Sequence, residues 1–295
     1  MTFTISNYCP YPIWPGTLAG SGTPQLSTTG FRLEPGQTVQ LAAPAGWSGR
    51  IWARTGCVFD AEGQGVCQTG DCGGRMQCAG AGATPPATLF EVTLAKGDFY
   101  DVSLVDGYNL PVVAIPRARQ GGACNTTGCM ADLNRSCPKE LQVDCGGGAI
   151  ACRSACEAFG QDRYCCSGGY GTPDACHPTV YSSIFKNACP RAYSYAYDDR
   201  TSTFTCKADD YTIAFCLPTS GYVLLPVWTR GFSFLSNNLV DLISVSLQDK
   251  EGGCCVSRST DGRPERRQWH RAADLQQWWV RVPTANLQLW RRTFP

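Results

Sequence analysis

Residues 63–78, Gly-Gln-Gly-Val-Cys-Gln-Thr-Gly-Asp-Cys-Gly-Gly-Arg-Met-Gln-Cys, contain three cysteines and five glycines and too little apolar surface to build a core. Such a stretch makes a tight ribbon whose glycines take φ > 0 and whose thiols close short loops. It holds one shape only when cross-linked, so it demands an oxidising compartment and a scaffold from the rest of the chain. Cysteines are supplied in quantity: nineteen in 295 residues, seventeen of them before residue 217. Zinc is the competing use of so many thiols, but zinc sites need paired Cys-x-x-Cys or Cys/His clusters. Only two histidines, His177 and His270, are present and the cysteine gaps are irregular. Disulfides, and with them a secreted protein, are the expectation.

Charged residues make up 17% of the chain, while glycine (32) and proline (19) are abundant, a balance that favours many turns and short strands. Residues 1–217 carry 15 Lys/Arg against 18 Asp/Glu, and residues 218–295 carry 10 against 6. Neither balance is steep enough for nucleic-acid binding. Residue patterning predicts strands at 2–6, 31–33, 38–41, 49–54, 89–94, 99–105, 192–195 and 211–216. Residues 7–14 continue the first strand after a kink, 15–30 read as loop, and Asp106-Gly107 is a turn signal. Short helices are expected at 151–159 and 180–187, inside a cysteine- and glycine-rich stretch.

The fold class that follows is mainly β: a sandwich built from 1–56, 87–123 and 190–217. Two disulfide-rich excursions interrupt it, a ribbon at 57–86 and a short-helix lobe at 124–189. Met1-Thr-Phe-Thr-Ile-Ser-Asn reads at once as a strand and lacks the basic start and apolar run of a signal peptide, so a leader lost or replaced by Met1 is expected. Two sequons, at Asn125 and Asn134, make these asparagines glycosylation candidates.

Residues 218–295 depart from this texture. The apolar run 221–247 is broken by Pro226, Arg230, Asn237, Asn238 and Asp241, so no membrane span is expected. Residues 264–282 have the pattern of a basic helix with Trp269, Ala272, Leu275 and Trp279 on one face. Five of the eight tryptophans fall in this tail, which would suit a membrane-surface or carbohydrate contact. The preferred reading is a poorly ordered segment from an altered gene end.

Among candidate chemical groups, Glu91, Asp101, Asp106 and the pair Asp198-Asp199 stand out. Taken alone they are solvated strand-end and turn carboxylates. Asp101 and Asp106 are an odd number apart, so a straight strand would point them to opposite faces. A shared site needs a bend before Gly107. Asp71 is expected to hydrogen-bond the ribbon turn. No Ser/His/Asp set, phosphate-binding loop or metal-binding helix appears, so neither cofactor nor metal is expected.

The run Gly63, Gly65, Cys67, Thr69, Gly70, Asp71, Cys72, Gly73, Gly74 and Cys78, with its fixed gaps, resembles the signature of the thaumatin-like proteins, plant pathogenesis-related family 5. The resemblance covers residues 2–217. It implies eight disulfides: Cys9–Cys216, Cys57–Cys67, Cys72–Cys78, Cys124–Cys206, Cys129–Cys189, Cys137–Cys152, Cys156–Cys165 and Cys166–Cys176. Cys145 has no partner in that scheme, and Cys254 and Cys255 lie beyond the family's usual end.

The resemblance also implies an acidic cleft between core and lobe, formed by Arg50, Glu91, Asp101, Asp106 and Asp199. Tyr108 is placed with them, and one or two of Phe90, Phe99, Tyr100, Tyr108 and Tyr170 are expected to touch a sugar. The implied function is that of a secreted, apoplastic, monomeric antifungal defence protein. Its implied partner is β-1,3-glucan or another fungal surface component. One alternative is a weak endo-β-1,3-glucanase with Glu91 as proton donor and Asp106 as nucleophile or base. Another is an inhibitor of microbial hydrolases acting through a loop. The resemblance does not imply a sweet-tasting role, since sweet relatives depend on a strongly basic surface and residues 1–217 are slightly acidic.

Overall fold

Alternation of polar and apolar residues in Thr2–Asn7 produces the first strand, β1, and the same rule recurs along the chain. A computed structural model describes residues 1–119 and 122–218. Further strands are β2 (Trp14–Ala19), β3 (Thr38–Ala42), β4 (Ser48–Arg54), β5 (Val58–Phe59), β6 (Gly65–Val66), β7 (Leu89–Thr93) and β8 (Asp98–Ser103). After them come β9 (Val112–Ala118), β10 (Thr127–Cys129), β11 (Gln142–Asp144), β12 (Ala149–Cys152), β13 (Phe204–Cys206) and β14 (Ala208–Phe215). Short helices α1 (Ala155–Phe159), α2 (Asp162–Cys165), α3 (Val180–Ala188) and α4 (Asp199–Ser202) lie between β12 and β13.

Two five-stranded sheets carry the fold, in the orders β10-β9-β14-β1-β3 and β13-β8-β7-β4-β2. Only β1 and β14 pair in parallel among these neighbours. Phe3, Ile5, Tyr211 and Ile213 of the first sheet share one core with Ile51, Phe90, Val92, Tyr100 and Val102 of the second. Tyr100 meets Tyr211 edge-on, with ring centroids 5.3 Å apart, within the range aromatic pairs prefer. Each such buried side chain contributes about 1.5–3 kcal/mol, which is what closes the sandwich.

Burying one face of the second sheet turns the other outward. Phe90 and Val92 face the core, so Leu89, Glu91 and Thr93 do not; Tyr100 and Val102 do, so Phe99, Asp101 and Ser103 do not. The outer face therefore carries the polar row.

Several elements differ from the sequence expectation. Trp14–Ala19 is a strand despite Pro15, because β2 is a sheet edge where a missing N–H costs no ladder bond. Residues 31–33 are not a strand; Leu33 only exchanges two backbone hydrogen bonds with Ile13. Strand β9 was unread because Pro116 interrupts its pattern, yet Pro116 lies past the stretch paired with β10. The helix expected from 151 starts at Ala155, after the Ser154 N-cap, since residues 151 and 152 belong to β12. Residues 192–195 make a single bridge, Tyr193 to Ser103, in place of a strand. The second helix runs Val180–Ala188 behind a Thr179 capping box.

Eight disulfides join Cys9–Cys216, Cys57–Cys67, Cys72–Cys78, Cys124–Cys206, Cys129–Cys189, Cys137–Cys152, Cys156–Cys165 and Cys166–Cys176. These are the pairs the resemblance implies. The first spans 207 residues and ties β1's exit to the end of β14. In the chain-entropy account, closing so long a loop raises the free energy of the unfolded state by about 5 kcal/mol. Cys145 is disulfide-bonded as well. In the ribbon, Asp71 accepts from the backbone N–H of Gly74 at 2.8 Å and so holds the turn, as expected of it. Cys254, Cys255, the helix expected at 264–282 and the tail reading lie outside the described residues. Among the described residues no helix is long and apolar enough to cross a membrane.

Candidate functional site

Three outward side chains stand in register across adjacent strands: Arg50 of β4 opposite Glu91 of β7, and Glu91 opposite Asp101 of β8. Arg50 Nε lies 4.0 Å from Glu91 Oε1, and Arg50 Nη1 lies 3.8 Å from Asp106 Oδ2. One guanidinium thus stands between two carboxylates.

Asp106 reaches this group because the chain bends. Strand β8 ends at Ser103, and Leu104–Gly107 close a turn with the Gly107 N–H donating to Leu104 O at 3.0 Å. That turn releases Asp106 from the strand alternation that would have sent it away from Asp101. Gly107 takes φ +83°, and a Cβ there would fall 2.8 Å from both the Cys152 carbonyl and Pro86 Cβ, so only glycine fits.

Asp199 arrives from the far side, at the start of α4. Tyr193 donates its hydroxyl to Asp199 Oδ1 at 2.8 Å and also contacts the Thr203 hydroxyl. Its neighbour Asp198 serves the fold: it accepts from the Ser194 N–H and hydroxyl and pairs with Lys186 at 2.9 Å.

The electrostatics follow from this crowding. Burial pushes the Glu91 carboxyl up; Arg50 opposes the shift and Asp106 adds to it. Burial pushes Asp101 well above the carboxylate range, with Glu91 and Asp199 both adding. Asp106 is raised by burial and restrained by Arg50. Its side chain keeps 39% of its surface, so water moderates that shift most. Asp101 has no such cation beside it, and its Oδ1 is buried without a hydrogen-bond partner among the described residues. Arg50 thus restrains the upward shift of Glu91 and Asp106, and among the described residues nothing cationic restrains that of Asp101.

Tyr108 does not join the cluster. It is fully buried, its hydroxyl donates to the Ala131 carbonyl at 2.9 Å, and its backbone is bridged to Cys152. The structure thus differs from the expectation that Tyr108 lines a sugar-binding site: a side chain just past a turn packs inward once the next segment covers it. Phe90 and Tyr100 are core residues too, whereas Phe99 and Tyr170 are exposed. Asn134 is also unsuited to glycosylation in the fold, because its Nδ2 donates to the carbonyls of Asn109 (3.0 Å) and Ile150 (3.2 Å). Asn125 is exposed.

Three residues near the row were not singled out in the sequence. Tyr193 carried no local signal. Arg153 and Glu157 form an ion pair at 3.6 Å beside the Asp106 turn, and Glu157 is pushed up to about 7 by burial, against Arg153 and with help from Asp106. Ser154-Ala-Cys-Glu157 is a readable capping pattern, but its direction toward Asp106 depends on the distant Tyr108–Cys152 bridge. Among the described residues no group of three His, Cys, Asp or Glu side chains is arranged to hold a metal.

Known proteins place this arrangement in context. The Thaumatin family model matches residues 7–217. Pathogenesis-related thaumatin-like protein 3.5 of Cryptomeria japonica is 58% identical over 214 residues, covering 72% of this chain and 89% of that protein. Pathogenesis-related protein 5 of Arabidopsis thaliana is 57% identical over 217 residues, with 72% and 89% covered. A Prunus avium protein named glucan endo-1,3-beta-glucosidase is 52% identical over 221 residues, with 73% and 90% covered. With a family match spanning most of the chain and relatives this similar along nearly their whole length, the chain belongs to the thaumatin family.

Proposed function

We propose that this chain is a secreted defence protein that binds a fungal β-1,3-glucan through the acidic row. The observation that carries the reading is the registered row Arg50–Glu91–Asp101 with Asp106 and Asp199 at its two ends. Side-by-side guanidinium and carboxylate groups bind vicinal hydroxyls, and charge-assisted hydrogen bonds are the strong ones. The disulfide density supports secretion, and the glucosidase-named relative supports the choice of glucan. Exposed Asn125 is the asparagine proposed to carry a glycan.

A second reading, weak endo-β-1,3-glucanase activity, is supported by the raised carboxyls. Hydrolysis needs a protonated acid and a second carboxylate about 5–9.5 Å away. The resemblance nominates Glu91 as acid and Asp106 as nucleophile or base; the charge pattern favours Asp101 as the group that keeps its proton.

The test is a joint measurement of pull-down on insoluble β-1,3-glucan and reducing-end release, for wild type, Glu91→Gln and Asp101→Asn. Binding without release supports the docking reading. Release that one substitution abolishes while binding persists makes the protein an enzyme and names its acid. Neither binding nor release in wild type removes the glucan reading and turns attention to protein targets such as microbial hydrolases.

A further inference from the structure

Sixteen of the nineteen cysteines are consumed by the eight bridges, which leaves Cys145, Cys254 and Cys255. Cys145 is itself disulfide-bonded. It opens the turn between β11 and β12, half-buried, ahead of Gly146, Gly147 and Gly148. A Cβ added at any of these three glycines would meet nothing within 4 Å among the described residues, so a partner has room to approach the turn. The Gly146 N–H donates to Asp144 Oδ1 at 2.6 Å and holds the turn in shape. The same hairpin, through Gly148 and Ala149, lines a groove that Cys216 also lines, beside Pro10, Tyr11 and Pro111. Cys216 stands just before Pro218, where the described chain ends. The chain therefore departs from the groove that the Cys145 hairpin borders.

We infer that Cys145 forms a ninth disulfide with the adjacent pair Cys254-Cys255, and that one thiol of this pair is left over. With the sixteen others paired, this pair holds the only cysteines of the chain that remain for Cys145. Residues 219–253 are ample to cross the groove, since an extended chain advances about 3.3–3.6 Å per residue. The pair does not satisfy itself: neighbouring Cα atoms are about 3.8 Å apart, short of the roughly 4.4–6.8 Å that a disulfide usually spans. Cys165-Cys166, the chain's other adjacent pair, likewise bonds outward, to Cys156 and Cys176. In the bond-forming step two thiols lose two protons and two electrons. The disulfide of a secretory-pathway oxidoreductase accepts them and becomes a dithiol. Nineteen is odd, so one thiol per chain stays reduced, next to the new bond. The bridge closes residues 219–253 into a loop fastened at both ends, at the close of β14 and at the β11–β12 hairpin.

The experiment is non-reducing peptide mapping of the full chain, expressed through a eukaryotic secretory pathway. Free thiols are blocked with N-ethylmaleimide in denaturant, the chain is cut with trypsin, and bridged peptides are read by tandem mass spectrometry. The expected product joins residues 136–139, 140–153 and 251–258 through Cys137–Cys152 and the new bond, with one blocked thiol in 251–258. Wild type should carry one blockable thiol per chain and run as a monomer on a non-reducing gel. Cys145→Ser should raise the count to two. Cys254→Ser and Cys255→Ser should each lower it to none, because the remaining member of the pair takes the bond. The double variant Cys254→Ser/Cys255→Ser should place the single thiol on Cys145. A blocked Cys145 in wild type overturns the inference. So does a bond from Cys145 to a second chain, seen as a dimer that reduction dissolves, or a bond from 251–258 to any other peptide. Where a variant is not secreted, the wild-type map decides by itself.

Discussion

Glu91 and Asp101 stand directly opposite each other on neighbouring antiparallel strands, two carboxylates where a sheet ordinarily pairs opposite charges or apolar groups. Like charges so placed repel, and the buried Asp101 Oδ1 has no hydrogen-bond partner among the described residues to offset its loss of water. Under the proposed glucan reading, this cost is one the acidic site would impose on the fold. Asp101→Asn is expected to raise stability at pH 7 by about 1 kcal/mol, a melting-temperature rise of roughly 2–4 °C. Its amide would donate toward the neighbouring carboxylates. The same variant should lose glucan binding. Calorimetric melting beside a glucan pull-down checks both halves; a lowered melting temperature would refute the strain argument.

The raised carboxyls also set the direction of pH dependence. Glu91, Asp101, Asp106 and Glu157 all have folded pKa values above their unfolded ones. In the interval between the two values the folded chain binds more protons than the unfolded chain, so stability falls as pH rises. The contribution of each group is fully present below its unfolded pKa and is lost as pH passes the folded one. For Glu157 that window runs from 4.5 to about 7. The protein should melt highest in mild acid and lose melting temperature toward pH 7. Glu157→Gln should flatten the decline by about 1–2 kcal/mol after allowance for solvent screening. A pH series of melting curves for the two proteins decides it; a parallel decline in both would show that Glu157 does not titrate in this window.

Glycosylation should distinguish two sequons that look alike in sequence. The Asn134 amide nitrogen is spent on two backbone carbonyls, so the 3₁₀ turn at Leu133–Ser136 is tied to Asn109 of the core segment and to Ile150 of β12. A folded chain therefore presents no free amide at this position, while exposed Asn125 does. Expression through a eukaryotic secretory pathway followed by glycopeptide mapping should find a glycan on Asn125 and none on Asn134. Asn134→Ala should destabilise the fold by about 1–3 kcal/mol, because it leaves the two carbonyls without their donor. A glycan on Asn134 would show that the site is modified before the lobe closes.

How much of this was legible depended on how local the cause was. The period-two pattern of Thr2–Asn7 and the Asp106-Gly107 turn are written in adjacent residues, and both are present in the structure. The disulfide pairing and the carboxylate set came through family resemblance, because spacing alone leaves the connectivity open. What stayed hidden was decided by distant partners. An aromatic residue past a strand looks the same in sequence whether it lines a groove or fills a core. For Tyr108 the deciding contact is the Ala131 carbonyl, 23 residues on. Glu157 is marked in sequence as part of a helix start, and nothing nearby shows that the helix begins beside Asp106. Tyr193 had the texture of a strand, and its single bridge to Ser103 instead sets its hydroxyl on Asp199.

The Asp106 turn offers a controlled comparison between two glycines of the same backbone conformation. Gly107 and Gly73 both take φ +83°. At Gly73 an added Cβ would meet nothing within 4 Å, whereas at Gly107 it would collide with the Cys152 carbonyl and Pro86 at 2.8 Å. An alanine at either position incurs the left-handed backbone cost of about 1–2 kcal/mol. Only Gly107→Ala adds the collision, so it should destabilise by about 2–4 kcal/mol in all. The collision also acts on function. The Asp106 carbonyl accepts from the Ala87 N–H at 2.9 Å, and pushing residue 107 off Cys152 drags this anchor and the Asp106 carboxylate with it. Glucan binding should therefore weaken in Gly107→Ala and persist in Gly73→Ala. Guanidinium unfolding with the disulfides intact measures the first effect, and a pull-down under native conditions measures the second. Equal destabilisation in the two variants would mean that the Asp106 turn yields to a side chain, and that the position of Asp106 rests on Arg50 rather than on the backbone.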